Sequence, residues 1–358
     1  MRPVVCLLTT LSLALPAGAD WIAGRQALDA HDCMLAVSEF REVVGECRDL
    51  PEGHYMLGLA YSQCQRHAEA EASLREAVVR EPKPRYRLAL AQALLDLDRP
   101  QEAYTTLEGL SLATVDPELK TQLALVLARA AQATDHSDEA VAVLRERTAL
   151  SREGKLFYAL GIIHDARSEH RAALECLLTA FELEPDNIAW GLAAARAAII
   201  VAENAEKPAR RLAAWSRAAD IAARIAGSQP TFDHCLLAGE TRLRAGGPSQ
   251  ALEWLFQAQR LRPHSALVLL RRAQCHSAMG ELDVALAELR DALKTGLRGR
   301  IRREVYCELG TIYEARGEYR LAASAFKEAN ELDKARRVVA RLERTESANA
   351  DRDTGSQR

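Results

Sequence analysis

One spacing recurs along the chain and limits what it can fold into. A small residue is followed four positions on by a large apolar one, and three further on by another small one. Ala70, Leu74 and Ala77 keep this spacing, as do Ala173, Leu177 and Ala180, and again Ala251, Leu255 and Ala258. Each set is closed by a proline, Pro82, Pro185 and Pro263, 12 residues after its first alanine. The same frame fits Ala36/Phe40, Ala103/Leu107, Ala140/Leu144, Ala285/Leu289/Ala292 and Ala322/Phe326/Ala329. Steps of four and three put these side chains on one face of a helix. A second element lies upstream, in Leu57-Gly58-x-x-Tyr61, Leu160-Gly161-x-x-His164 and Leu309-Gly310-x-x-Tyr313. Together the two elements predict a helical hairpin. The small residue after the leucine lets the second helix come close, and the proline, which cannot continue a helix, starts the next unit. Gly280 and Gly317 stand five residues before their alanines, where the turn inside the hairpin needs a flexible residue. One such hairpin cannot bury its apolar face alone, so neighbours must stack.

This pattern resembles the tetratricopeptide repeat (TPR) family over nearly all of residues 20–345. The resemblance implies an all-α fold, a right-handed α-solenoid superhelix of helical hairpins. The anchor alanines step by 34, 33, 37, 33, 78, 34 and 37 residues. The interval of 78 hides one more repeat, because Pro230 follows Ala218 by 12 residues and Trp190 lies near the usual aromatic start. Nine repeats are therefore expected, with the sixth, about 187–230, carrying about eleven extra residues. Asn204 to Pro208 reads as its internal turn, which lengthens both of its helices. Residues 333–344 read as a capping helix with Ala335, Val338, Val339 and Leu342 on one stripe, and 346–358 as a disordered tail without large apolar residues.

The amino terminus has a different pattern. Arg2 is followed by an apolar run from Val4 to Leu15, then Pro16 and Ala17-Gly18-Ala19. This is a secretory signal over residues 1–19 with the mature chain starting at Asp20, and Cys6 lies too early for lipid attachment. A membrane anchor is the alternative, though the run is short for a bilayer. No later stretch is apolar enough to span; the best, Ile188 to Ala202, is short and holds Arg196. The expectation is an exported protein, periplasmic or secreted. Loss of Arg2 leaves 46 basic against 50 acidic residues, a net charge of −4. That balance argues against nucleic acid as a partner, since displacing counterions from phosphates needs a basic surface.

Seven cysteines remain after cleavage: Cys33, Cys47, Cys64, Cys176, Cys235, Cys275 and Cys307. One pair is a candidate disulfide. Cys33 opens the second helix of the first repeat, Cys64 closes the first helix of the second, and antiparallel packing brings those ends together. The alternative is that the cysteines are small buried residues, which suits Cys176 and Cys235.

Catalytic motifs do not appear: no nucleophile elbow, zincin helix, phosphate loop or EF-hand loop. No enzyme activity, metal or cofactor is expected. The densest ligand cluster, His31-Asp32-Cys33, sits in a tight turn where three adjacent residues cannot converge on one ion. His164 and His276 fall at positions where the repeat packs a Tyr. The family resemblance instead implies a binding groove lined by the first helices. It places Trp21, Tyr55, Leu88, Leu125 and Tyr158 at one equivalent inward position, with Leu59, Gln92, Arg129 and Ile162 one turn on. Either these residues form an apolar peptide groove tipped with aromatics, or the stripe is packing between repeats. The equivalent positions of the C-terminal half include Glu240, Arg244, Arg271, Gln274, Glu308 and Glu314, a mixed polar surface without the Lys and Asn set of a carboxylate clamp. Arg298, Arg300, Arg302 and Arg303 form a basic patch, either solvated or touching acidic lipid or an anionic polymer.

The expected function is an exported scaffold or adaptor that binds a peptide or protein partner and helps assemble an envelope complex for secretion, pilus formation or polysaccharide export. The alternative is a protein associated with a glycan or surface polymer, which the sparse aromatics favour less.

Overall fold

All nine anchor alanines, Ala36, Ala70, Ala103, Ala140, Ala173, Ala218, Ala251, Ala285 and Ala322, are fully buried in a computed structural model of the chain. The structure describes residues 21–110, 115–134 and 136–355. The signal expected over 1–19 lies outside these residues. Among them the chain is all-α, with nineteen helices in succession, and it divides into two compact units that meet in sequence between Glu169 and His170.

The first unit holds α1 (Trp21–Asp29), α2 (Cys33–Glu46), α3 (Pro51–Gln63), α4 (His67–Arg80), α5 (Pro84–Asp96), α6 (Pro100–Leu107), α7 (Pro117–Ala133), α8 (Ser137–Leu150) and α9 (Gly154–Ala166). Successive helices pack as antiparallel hairpins, and the first helices α3, α5, α7 and α9 also touch one another in order. The second unit holds α10 (His170–Leu183), α11 (Ile188–Glu203), α12 (Pro208–Ser228), α13 (Phe232–Arg244), α14 (Pro248–Leu261), α15 (Ala266–Ala278), α16 (Leu282–Lys294), α17 (Gly299–Ala315), α18 (Tyr319–Glu328) and α19 (Leu332–Gly355). It is built in the same way, and α13, α15 and α17 are neighbours. Chain order thus gives nine successive pairs and a last helix. In the sixth pair α11 has 16 residues and α12 has 21, against 13 and 14 in α13 and α14.

Close approach inside a hairpin follows from the small residue on its first helix. A Cβ on Gly58 of α3 would lie 2.5 Å from Leu74 Cγ of α4, and one on Gly310 of α17 would lie 2.7 Å from the Phe326 ring of α18. The anchor pattern is therefore a shape match, a missing side chain facing a large one. Five residues before seven of the nine anchor alanines the turn is left-handed. Gly280 (φ 82°) and Gly317 (φ 77°) supply it without strain. His31, Gln65, Asp98 and Ser168 take the same conformation, with φ between 58° and 61°. A backbone bond closes each such turn, as from Arg99 N–H to the Leu94 carbonyl at 2.9 Å, which satisfies a helix-end carbonyl.

The C-terminal end differs from the expectation of a short cap and a disordered tail. Asn330 (φ 60°) repeats the left-handed turn five residues before Ala335, and Ala335 and Val338 of α19 are buried against Ala322 and Phe326 of α18. The α19 backbone then stays helical to Gly355, well past 344. Residues 332–354 contain no proline or glycine, so nothing stops the helix before Gly355.

Candidate functional site

The positions expected to line a groove lie on α1, α3, α5, α7 and α9. Their environments are not uniform. Tyr55, Leu59, Leu125, Tyr158 and Ile162 are half-buried, each leaving part of its apolar surface in solvent. Trp21 is half-buried too, but its ring meets Phe40 of α2 edge-on at 5.5 Å, so much of it serves packing inside the first hairpin. Leu88 is a correction: it is 3 % exposed and offers nothing to a ligand. α5 lies between α3 and α7 and turns Leu88 inward, leaving Ala89 and Gln92 half-buried beside it. Arg129 is exposed but approaches Asp96 at 3.4 Å, and Asp96 also accepts from Gln92 Nε2 at 2.9 Å.

A cluster around Tyr55 escaped the sequence reading. Its ring lies 4.8 Å from that of Tyr86, and the Arg85 guanidinium covers both rings, 5.7 Å and 5.1 Å from their centroids. Arg85 and the Tyr86 hydroxyl both donate to Glu52. Burial pushes the Tyr55 phenol above its ordinary value, with Arg85 opposing and Glu52 reinforcing. The rim of the first-helix face is thus held by a charge-assisted network rather than by loose side chains. A signal existed in the sequence: Glu52 and Arg85 are 33 residues apart, one repeat. Asp96 and Arg129 are likewise 33 apart. Opposite charges one repeat apart meet across neighbouring first helices.

The same rule organises the second unit. Arg271 of α15 donates to Glu240 of α13 at 2.7 Å and to Glu304 of α17 at 3.2 Å. Glu304 also takes Arg300 at 2.8 Å. Burial pushes the Glu308 carboxyl up, opposed by hydrogen bonds from Gln274 and Ser277 and by Arg271. Arg337 and Arg341 of α19 reach Glu314 at 3.3 Å and 2.7 Å. Arg244 stacks over Trp215 at 4.9 Å. The polar first-helix face of this unit is therefore largely occupied by its own ion pairs. In the basic patch, Arg300 pairs with Glu304 and Arg302 with Glu328 at 2.9 Å, which neutralises two of the four charges. Arg298 precedes α17 without capping it through its side chain, and both it and Arg303 are exposed.

The remaining candidates have structural partners. Cys33 and Cys64 are joined in a disulfide with Cα atoms 5.4 Å apart. Asp32 caps α2 by accepting from Leu35 N–H at 3.1 Å, and His31 Nδ1 lies 2.8 Å from Gln63 Nε2. His164 is buried and bonds Glu169 at 2.6 Å; His276 bonds Glu281 at 2.6 Å. Each of these histidines thus ties the end of a first helix to the residue just past the turn. Cys235 and Cys275 are buried, and burial, aided by Glu288 and opposed by Arg272, pushes the Cys275 thiol up to about 12. Among the described residues no group of three His, Cys, Asp or Glu side chains is placed to hold a metal ion, and no helix is long and apolar enough to cross a membrane.

A family profile and one solved structure agree with this architecture. The tetratricopeptide repeat profile matches residues 51–84 and 304–336, which cover the second hairpin and the ninth. The C-terminal part of a TPR repeat-containing protein from Cytophaga hutchinsonii superposes with a TM-score of 0.54 at 12% identity, over 69% of this chain and 97% of that one. A tetratricopeptide repeat protein from Parabacteroides merdae aligns over 81% of this chain and 97% of its own at 15% identity, with a TM-score of 0.37. MamA protein aligns over 51% of this chain and 92% of its own at 16% identity, with a TM-score of 0.39. No curated protein matches the chain.

Proposed function

We propose that this chain, a tetratricopeptide-repeat protein, is an exported interaction scaffold that holds a peptide or protein partner along the first helices of its N-terminal unit and helps assemble an envelope complex. The observation that carries the reading is the recurrence of half-buried apolar residues at equivalent positions of neighbouring helices: Tyr55, Leu125 and Tyr158, with Leu59 and Ile162 one turn on. Such side chains lose little entropy on binding and bury large area, which makes aromatics good anchors for a peptide. Tyr55 is also held in place by Tyr86 and Arg85, so its ring is set before a partner arrives.

Two observations support export. The leader of residues 1–19 has the form of a cleavable signal. The Cys33–Cys64 disulfide belongs in an oxidising compartment, because thiols of cytosolic proteins are kept reduced. Amino-terminal sequencing of the accumulated protein should then begin at Asp20; an intact Met1 terminus in the cytosol would count against export.

The binding role is tested by pull-down of the chain from envelope extract after brief cross-linking. The expected result is a stoichiometric protein partner, lost when Tyr55→Ala and Tyr158→Ala are combined. Recovery of the bait alone, from a folded sample, would remove the reading.

A further inference from the structure

The first unit carries a recess lined mainly by its second helices. It is a furrow of about 560 Å³ between the second helices α2 and α4, closed below by α3. That volume lies in the range of ordinary ligand pockets. Half-buried Val44 gives it an apolar wall, and the small exposed parts of Leu57 and Tyr61 floor it, with Arg66 lying 4.8 Å from the Tyr61 ring centroid. Its two rims differ in charge. On the α4 rim, Glu69 is paired with Arg66 at 2.6 Å and Glu76 with Arg80, so both carboxylates are already matched. On the α2 rim stand Arg41 and Arg48, both exposed, and neither guanidinium has an ion-pair partner among the described residues. The buried His54 bonds the Arg48 carbonyl at 2.8 Å and fixes the backbone that presents this arginine. Two uncompensated cations beside an apolar trough call for anionic groups flanking aliphatic ones.

We propose that this furrow is a binding site for an acidic, leucine-bearing segment of a partner protein, distinct from the first-helix face. The spacing sets the form of the segment. Arg41 and Arg48 are seven residues apart, about 10 Å along the helical direction at ~1.5 Å per residue. In a peptide of polyproline II form, with three residues per turn, residues three apart share a face and are separated by about 9 Å. Two glutamates with two leucines between them therefore place a carboxylate near each arginine and turn one leucine toward Val44 and the floor of the furrow. Guanidinium–carboxylate bonds supply the selectivity, and the trough supplies the buried area.

The test uses the oxidised chain from Asp20 onward and a labelled peptide of sequence Ala-Glu-Leu-Leu-Glu-Ala, with Ala-Lys-Leu-Leu-Lys-Ala as the counterpart. Three variants accompany it. Gly45 lines the furrow and has no atom within 4 Å of where a Cβ would stand, so Gly45→Trp fills the furrow and leaves the core untouched. The second variant combines Arg41→Ala with Arg48→Ala, and the third combines Tyr55→Ala with Tyr158→Ala. Circular dichroism and thermal unfolding verify the fold of each. The expected result is binding of the glutamate peptide, weakened at least tenfold by Gly45→Trp and by the arginine pair, weakened by salt, and unaffected by the tyrosine pair. Three results overturn the proposal: no binding by the parent chain, equal binding of the lysine peptide, or unchanged affinity in either furrow variant. Loss of binding in the tyrosine pair alone would place the peptide on the first-helix face, leaving that reading standing and this one refuted.

Discussion

Breaking the Cys33–Cys64 bond should loosen the first hairpin far more than the rest of the chain. The two cysteines are 31 residues apart, so the bond closes a loop that contains α2 and α3. Closing a loop of that length removes about 12 cal/mol/K of entropy from the unfolded chain, which stabilises the folded form by about 3.7 kcal/mol at 25 °C. The effect should stay local, because α1 and α2 form the first hairpin and rest mainly on α3. At ~1.4 kcal/mol per decade, opening of α2 becomes roughly 400-fold more frequent. Native-state hydrogen exchange on Cys33→Ser combined with Cys64→Ser reads this directly. The α2 amides should lose about two and a half decades of protection, while those of α13 to α18 keep theirs. Mass spectrometry of the parent chain must first confirm the bridge. If the bridge is present and α2 protection changes by less than threefold on its removal, the reasoning from loop closure is refuted.

Three further perturbations test the packing. Asp98→Gly relieves a left-handed turn (φ 58°) and should raise stability by about 0.5–1 kcal/mol, while Gly317→Ala, at φ 77°, should cost about 1 kcal/mol; both are read in urea unfolding. Gly58→Ala drives a Cβ to within 2.5 Å of Leu74 and should cost about 1–3 kcal/mol, whereas Gly45→Ala, in open space inside a helix, should gain up to about 1 kcal/mol; equal effects would refute the shape match. The third perturbation, Glu308→Gln, concerns pH. Burial raises the Glu308 carboxyl above its ordinary value of 4.5, so the folded state holds the proton more tightly than the unfolded chain. Ionisation then costs the folded state as pH rises from 4.5 through the raised value. Glu308→Gln should therefore stabilise the second unit at neutral pH and do nothing well below pH 4.5. A gain independent of pH would contradict this.

Much of the architecture could be read from residues alone, and the reasons are local. Small residues at fixed intervals, such as Ala70 and Ala77 around Leu74, have few uses other than close helix packing, and all three are fully buried. Glycine at a turn is equally direct at 280 and 317. The same turn at His31, Gln65, Asp98 and Ser168 was hidden, because hydrogen bonding and packing around the turn hold residues that do not prefer that conformation. The length of α19 was hidden for another reason. A polar composition suggests a stop, but helix ends are set by proline, glycine and caps rather than by polarity. The face of the first helices was half legible. The repeat frame put Tyr55 and Leu88 in one register, yet a rotation of one helix by a single residue separates a half-buried ring from a buried leucine. The Glu52–Arg85–Tyr86 network lay in the 33-residue interval between opposite charges, a signal that only a search across repeats reveals.

The central claim is that a partner lies along the first helices of the N-terminal unit. Site-specific photo-cross-linking tests it most directly. A photoreactive residue is placed at 55, at 158, and at 150 as the control, since Leu150 is 75 % exposed at the end of α8, a second helix. After irradiation in envelope extract, positions 55 and 158 should give the same discrete adduct and position 150 none. An adduct at 150 with none at 55 and 158 would contradict the claim.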